Sequence, residues 1–135
     1  MKNTLIAFII AFLLYGCTNK KAQAKAMLDD VIKVHDKVMA ADERLEKNKM
    51  QLDTLLKQDK TTRKDTLKLL INKLVLADSA MENWMHKFDY EQTGKSPDES
   101  IVYMGDQKKQ IMAIDSQISA AVAQSNKYLL KIKRK

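Results

Sequence analysis

The chain has 135 residues with 24 basic and 17 acidic side chains, so its formal net charge is +7 at pH 7. A single cysteine excludes an intramolecular disulfide, and one proline with three glycines favours long helices over a turn-rich β architecture. The length is that of one domain.

The N-terminus has the pattern of an export signal. Lys2 supplies a positive start, an unbroken apolar stretch runs from Leu5 to Tyr15, and polar residues follow from Thr18. A membrane-spanning helix needs about 20 apolar residues, so this stretch is too short to span. Residues 1–16 are therefore predicted to be a cleaved signal peptide.

The cysteine stands directly after this segment. Leu14-Tyr15-Gly16-Cys17 resembles the lipobox that lipoprotein signal peptidase reads, with leucine three positions before the cysteine and glycine next to it. The resemblance implies cleavage between Gly16 and Cys17 and acyl chains such as palmitate on Cys17, which anchor the protein to a membrane. An ordinary secretory signal with a chance cysteine is the alternative. With Cys17 lipidated, no thiol remains for a metal or a nucleophile.

Heptad patterns predict three helices after a short tether at residues 17–22. In the first helix, apolar or small residues recur at spacings of three and four. They are Ala24, Met27, Val31, Val34, Val38, Ala41, Leu45, Leu52 and Leu55. Asn48 is the one polar residue in this seam and is expected to fix its register.

The second helix is predicted to begin near Thr62, which has capping-box spacing to Asp65, and to end near Tyr90. Its seam consists of Leu67, Leu70, Leu74, Ala77, Met81, Trp84 and Phe88.

The third helix is predicted to start at Ser96-Pro97-Asp98-Glu99, where a serine cap, a proline and two acids suit a helix N-terminus. Its seam is Ile101, Met104, Ile111, Ile114, Ile118, Ala121, Tyr128 and Ile132. The phase of this seam is expected to slip by one residue near Gly105.

These elements predict an all-α fold, an up-down-up antiparallel three-helix bundle of coiled-coil type over residues 23–135, with a basic C-terminal tail. A longer coiled coil between chains is the alternative. The second helix is apolar beyond one stripe. Either it contacts both neighbours, or Leu69, Val75 and Leu76 bind a partner protein or a second copy.

Positive charge collects at one end of the predicted bundle, far from Cys17. The bases expected there are Lys57, Lys60, Arg63, Lys64, Lys127, Lys131, Lys133, Arg134 and Lys135. Lysines at helix C-termini are stabilising by themselves, and charge keeps a protein soluble. Arg63 and Lys64, however, stand at a helix N-terminus, where positive charge is unfavourable. This mismatch favours anion binding beside the solubilising role.

Motifs for catalysis are absent from the sequence, which has no glycine-rich phosphate loop, nucleophile elbow or zinc-ligand spacing. No catalytic residue, cofactor or metal ligand is therefore predicted, and no nucleic-acid partner is expected for an exported chain. A soft-metal or haem site would have to use His35, Met39, Met81, Met85, His86 and Met104. Flexible core filling is the preferred interpretation of these methionines.

Two segments stand out, MLDDVIKVHDKVM at Met27–Met39 and MENWMHKF at Met81–Phe88. They resemble a group of small helical lipoproteins from Bacteroidota, often labelled "viral A-type inclusion protein". This resemblance implies helicity and an envelope location, and it carries no ligand or catalytic residue. Through Cys17 and Arg134-Lys135, the two ends are also similar to the major outer-membrane lipoprotein of enteric bacteria, whose terminal lysine is joined to peptidoglycan.

The sequence thus predicts a non-enzymatic lipoprotein of the cell envelope that acts as a helical binding or structural module. Expected partners are the membrane, through lipid on Cys17, a protein or second copy, and an anionic cell-wall polymer. Attachment to peptidoglycan through the basic end or Lys135 is the alternative function, and a ligand- or metal-carrying bundle is a distant third. In some Bacteroidota, acidic residues directly after the cysteine direct lipoproteins to the cell surface. Thr18-Asn19-Lys20-Lys21 contains none, so the resemblance to that group implies an outer-membrane anchor that faces the periplasm.

Overall fold

Three helices make up the fold, as the heptads predict. The computed structural model describes residues 2–58 and 63–133, with side chains from residue 19 onward within those ranges. Helix α1 is Lys2–Gln58, α2 is Lys64–Lys87 and α3 is Pro97–Lys133. No strand is present within these ranges. Helix α2 ends before the predicted Tyr90, because Phe88 adopts an extended backbone and its amide bonds to the carbonyl of Met85.

Helices α1 and α3 run parallel and pack more extensively against each other than either does against α2. Three ion pairs join them, and in each the partners are 78 residues apart, which only parallel helices in constant register allow. The pairs are Lys20–Asp98 at 2.8 Å, Asp30–Lys108 at 2.7 Å and Lys37–Asp115 at 2.6 Å. Lys108 holds the pKa of Asp30 below its ordinary value through a hydrogen bond and its charge.

Helix α2 runs antiparallel to both neighbours. The ring of Trp84, near the C-terminus of α2, lies 6.2 Å from the ring of His35 in α1. The C-terminal end of α2 therefore lies beside the early part of α1. Nearer its N-terminus, Lys73 donates to Gln124 of α3 at 2.7 Å. Burial, and then the negative charge of Asp78 on α2, raises the pKa of Asp42 on α1. The predicted up-down-up order is confirmed.

The core is a single apolar column whose buried members lie between Val31 and Leu129. Most predicted seam residues are buried or pack against it. The buried ones are Val31, Val38, Ala41, Leu45 and Leu52 from α1, then Leu67, Leu70, Leu74, Ala77, Met81 and Trp84 from α2, then Met104, Ile111, Ile118 and Ala121 from α3. Burying each large aliphatic side chain contributes about 1.5–3 kcal/mol. A chain that begins after Cys17 therefore retains the whole described core.

The predicted phase slip in α3 is wrong. Met104, Ile111, Ile118 and Ser125 follow one another at seven-residue intervals and all are buried. Gly105 does not break the helix, and a Cβ at this position would lie at an ordinary 3.5 Å from Met27 Cε of α1. The seam prediction also missed Val122 and Leu129, which are buried beside it.

A buried polar contact interrupts the apolar column. Asn48 of α1 donates from Nδ2 to Ser125 Oγ of α3 at 2.8 Å, and its Nδ2 lies 3.4 Å from the carbonyl oxygen of Val122. Exposed ion pairs contribute little to stability, whereas a hydrogen bond buried between two helices is lost on any shift of register. Asn48 therefore has the register-fixing position that its place in the heptad predicts.

The loop between α2 and α3 ends in a complete helix cap. The Glu99 carboxylate accepts from the Ser96 amide at 2.7 Å, and the Ser96 hydroxyl accepts from the Glu99 amide at 3.3 Å. This reciprocal pair is a capping box, with Pro97 as the first helical residue. At α2 the predicted cap residue Thr62 lies outside the described residues. Arg63 occupies the N-cap position, and its side chain makes no capping hydrogen bond to the first turn.

The backbone of α1 continues through the region of the predicted cleavage site. Gly16 and Cys17 are both within Lys2–Gln58, and their side chains lie outside the described residues. The segment predicted as a tether, 17–22, is helical, and Lys20 already pairs with Asp98. The bundle therefore begins slightly earlier than residue 23.

Candidate functional site

The basic tip is the end of the bundle where α1 ends, α2 begins and α3 ends. The structure brings together the predicted bases that it describes there, and all have exposed side chains: Lys57, Arg63, Lys64, Lys127, Lys131 and Lys133. Lys68 adds a further exposed base, and Asp65 is the one acid among the described residues of this tip. Lys60, Arg134 and Lys135 lie outside the described residues. The tip is therefore strongly electropositive.

Helix polarity accounts for only part of this charge. Lys57 is in the last turn of α1, and Lys131 and Lys133 are in the last turn of α3, where cations complement the negative end of the dipole. Arg63 and Lys64 instead begin α2, at the positive end of its dipole. The negative dipole ends of α1 and α3 thus stabilise their lysines. The positive dipole end of α2 instead adds to the positive potential of the tip.

A small pocket of about 210 Å³ opens between α2 and α3 at the tip. It is lined by Arg63 and Thr66 from α2 and by Tyr128, Lys131 and Ile132 from α3. The hydroxyl oxygen of Tyr128 is buried and has no hydrogen-bond partner among the described residues. The heptads predicted Tyr128 and Ile132 as core residues and did not indicate Thr66. Only the antiparallel packing of α2 on α3 makes this pocket.

A larger groove of about 380 Å³ lies between α1 and α3 on the side away from α2. Its lining is mainly apolar and comprises Met50, Gln51, Thr54, Leu55, Leu129, Ile132 and Lys133. Ile132 lines both the groove and the pocket. The end of α3 therefore separates a basic pocket from an apolar groove.

The predicted apolar partner face on α2 is divided. Leu69, Val75 and Leu76 are 55%, 37% and 54% exposed, so none of them belongs to the buried core. At about 100° per residue, Leu69 and Leu76 lie about 20° apart around the helix, whereas Val75 lies about 100° from Leu76. Exposed Asn72 falls between Val75 and Leu76. These three residues are solvent-exposed as the binding alternative requires, but they do not form one continuous patch.

The opposite end of the bundle is closed by aromatic rings. Phe88 stacks on Trp84 with centroids 4.7 Å apart and on Tyr103 at 6.3 Å. The Tyr103 hydroxyl accepts from the Asp89 amide at 2.7 Å, and Lys95 lies 5.0 Å from the Tyr103 ring centroid. The Lys95 ammonium pairs with Asp89 and, with the Gln92 amide, lowers the pKa of that carboxyl. This end is a packed structural joint.

The residues weighed for a soft-metal site differ in burial. Met81 and Met104 are in the core, as expected for methionines that fill the core, whereas Met39, Met85 and His86 are exposed. His35 packs near Trp84, and its Nδ1 lies 3.1 Å from Asp36 Oδ1. In the described part of the chain, no three His, Cys, Asp or Glu side chains cluster as a metal site would need.

Two further observations concern membrane spanning and similarity to known proteins. Among the residues that the structure describes, no helix combines the length and hydrophobicity that a membrane crossing needs. No family model matches the chain, and no curated protein or solved structure is significantly similar to it.

Proposed function

We propose that the chain is a lipid-anchored envelope protein that binds an anionic partner through its basic tip and performs no catalysis. The observation that carries this proposal is the position of the basic residues. Parallel packing of α1 and α3 places Cys17 and the tip at opposite ends of the bundle. A lipid on Cys17 would thus leave the tip pointing away from the membrane.

The dimensions of α1 support this role. From Cys17 to Gln58 the helix would span about 60 Å at its usual rise of about 1.5 Å per residue. Two further helices pack along it and make it stiff. The bundle would act as a spacer that carries the binding surface beyond the headgroup region, towards the periplasm in an outer-membrane orientation.

The tip is better suited to a partner than the apolar residues of α2. Clustered positive charge accelerates association with an anionic partner, and among the described residues of this end the bases outnumber the one acid, Asp65. Leu69 and Leu76, by contrast, are separated from Val75 by polar surface. We therefore place the partner at the tip.

The anchor is tested with Cys17→Ala. The unchanged chain should label with radioactive palmitate and remain in the envelope membrane fraction. The variant should carry no label and should appear in the soluble fraction or keep its signal peptide. Palmitate label on the Cys17→Ala variant, or no label on the unchanged chain, would rule out a lipid on Cys17.

The tip is tested by neutralising Lys57, Lys64, Lys127 and Lys133 to glutamine together. A matched control neutralises four exposed lysines elsewhere, Lys21, Lys33, Lys47 and Lys87. Both variants are expressed in cells with a photo-crosslinking amino acid in place of Gln58, and adduct yield is measured. We expect the tip variant to lose adducts by about tenfold and the control to retain them, because steering by clustered charge changes association rates by about 10-fold or more. Equal yields would exclude the tip.

Two features of the sequence indicate peptidoglycan as the anionic polymer: the basic tip and the terminal lysine. Cosedimentation of the two four-lysine variants with purified sacculi tests electrostatic attachment. Mass spectrometry of muropeptides released by lysozyme tests a covalent bond at Lys135, which lies outside the described residues. If sacculi bind both variants equally, electrostatic attachment through the tip is excluded. If no muropeptide carries the chain, covalent attachment at Lys135 is excluded.

A further inference from the structure

We infer that the apolar groove between α1 and α3 binds a fatty acid, that is, a single hydrocarbon chain that carries one carboxylate. The groove has a volume of about 380 Å³ and lies beside the basic tip. The inference goes beyond the proposed function, because a soluble ligand in this groove requires neither a lipid on Cys17 nor a macromolecular partner.

The register of α1 on α3 leaves one cation of the groove without an acid. The ion pairs along this edge of the bundle join residues that are 78 apart, as Lys37 and Asp115 are. In the same register Lys133 lies opposite Leu55 instead of an aspartate, and both residues line the groove. Lys133 forms no ion pair within the described part of the chain. A carboxylate from a ligand would supply the missing acid.

The groove combines this cation with an apolar surface. Met50, Leu55, Leu129 and Ile132 supply the apolar lining, and none of the lining residues is acidic. The half-buried Gln51 side chain makes no hydrogen bond to a described residue, so its amide is a second donor for a carboxylate. An apolar lining with a few polar groups is usual for small-ligand sites, whose volumes are about 300–1,000 Å³. This composition suits a hydrocarbon chain with one charged end.

The short length of the groove favours a small ligand over a protein. Its lining on α1 runs from Met50 to Leu55, which is about 8 Å at the usual rise of about 1.5 Å per residue. On the same side of α1, the positions four and seven residues before Gln51 are the exposed bases Lys47 and Arg44. A stable protein interface covers about 800 Å² on each partner and would have to extend over this charged surface.

Charge complementarity also favours an anionic ligand over a second copy of the chain. Two copies packed groove on groove about a two-fold axis would bring both Lys133 side chains into one interface. Lys127 and Lys131 are exposed at the same end of α3 and would add further positive charge. Like charges across an interface are unfavourable, whereas a carboxylate would offset them.

Laurate is the probe, and its binding is measured by calorimetry below its critical micelle concentration. The chain begins at Thr18, which retains the whole described core, and the ionic strength is held at about 0.15 M so that screening is constant. Dodecyltrimethylammonium has the same chain length with the opposite charge, and acetate has the carboxylate without the chain. We expect laurate to saturate one site and dodecyltrimethylammonium to bind at least about tenfold more weakly, because its charge is that of Lys133. Acetate should show no saturation.

Two pairs of variants locate the ligand. Met50→Gln and Met112→Gln each make an exposed methionine polar, but only Met50 lines the groove. Lys133→Gln and Lys127→Gln each remove an exposed base, but only Lys133 lines the groove. We expect Met50→Gln to weaken laurate binding about tenfold through lost apolar contact, and Lys133→Gln about threefold because its charge is exposed. Both controls should bind within about twofold of the unchanged chain, as surface substitutions outside a site do.

Methionine methyl resonances provide a second readout, which reports the place of binding directly. The Met50 methyl signal should shift as laurate is added. The methyl signals of Met85 and Met112 should not, because these exposed residues lie outside the groove. Circular dichroism verifies that every variant is folded.

Four results would overturn the site. They are no saturable binding of laurate, equal laurate binding by Met50→Gln and Met112→Gln, equally tight binding of dodecyltrimethylammonium, and a dimer of the unliganded chain that Met50→Gln dissociates in sedimentation velocity. The last result would show that a second copy occupies the groove.

Failure of the groove and failure of the proposed function are distinguishable, because Met50→Gln keeps every base of the basic tip. Loss of partner crosslinking in the four-lysine tip variant, with no laurate binding by the unchanged chain, would refute the groove and retain the proposed function. Saturable laurate binding that Met50→Gln weakens, with unchanged crosslinking in the tip variant, would retain the groove and refute the role of the tip.

Discussion

Ser125→Ala is the substitution for which the structure makes the sharpest prediction. Ser125 is fully buried and accepts the hydrogen bond from Asn48 at 2.8 Å. Its removal leaves Asn48 Nδ2 with only the carbonyl oxygen of Val122, at 3.4 Å. A buried donor without a good acceptor costs about 1–3 kcal/mol, and alanine returns about 0.5 kcal/mol of helix propensity. We expect a net loss of about 1–2 kcal/mol in the free energy of unfolding.

The chain contains a matched control for this substitution. Ser116 also donates to the carbonyl four residues earlier, that of Met112 at 3.0 Å, but its side chain is exposed. Ser116→Ala should change stability by less than about 0.5 kcal/mol, since it alters helix propensity alone. The difference between the two serine variants isolates the buried contact between α1 and α3.

Asn48→Leu completes a double-mutant cycle. With leucine at 48 the orphaned donor is gone, so Ser125→Ala should then cost little, and the double variant should be at least as stable as the unchanged chain. Urea unfolding followed at the helical circular-dichroism band measures all four chains. Additive effects, or equal effects of Ser125→Ala and Ser116→Ala, would show that the buried hydrogen bond does not hold the helices in register.

Further predictions concern the glycines and the cap of α3. Gly105→Ala should raise the free energy of unfolding by about 0.5–1 kcal/mol, because alanine favours the helix and its methyl would meet Met27 Cε at an ordinary 3.5 Å. Gly94→Ala should lower it by about 1 kcal/mol, because Gly94 has a φ of +81°; urea unfolding of both variants checks the opposite signs. Glu99→Gln should destabilise the chain at about pH 7 and match it once the pH is below the lowered pKa of Glu99. Hydrogen bonds from the amide and then the hydroxyl of Ser96 lower the pKa of Glu99, so its contribution is present above the ordinary glutamate pKa and is lost as the pH falls through the lowered one. Unfolding midpoints measured across this range test it, and a constant difference between the two chains would contradict it.

The fold was predictable because its information is local and repetitive. Heptad spacing identifies the apolar face of each helix, and short connections constrain adjacent helices to run antiparallel. The start of α3 was also predictable from the sequence, since the capping residues Ser96 and Glu99 and the first helical residue Pro97 lie next to one another in the chain. The predicted slip near Gly105 was wrong because half-buried Ile114 was taken as a seam residue, whereas the buried residues Met104, Ile111 and Ile118 keep seven-residue spacing.

The functional surfaces divide in the same way. By itself the sequence determined the three amphipathic helices and the concentration of bases at one end, because each depends on residue type and spacing along the chain. The lipid anchor at Cys17 stays a prediction from the sequence. Only the tertiary structure decided which side chains meet across helices. It split the apolar residues of α2 into two patches and paired Asn48 with Ser125. It also placed Lys133 opposite Leu55 in an apolar groove, because such a groove exists only where two helices distant in sequence come into register.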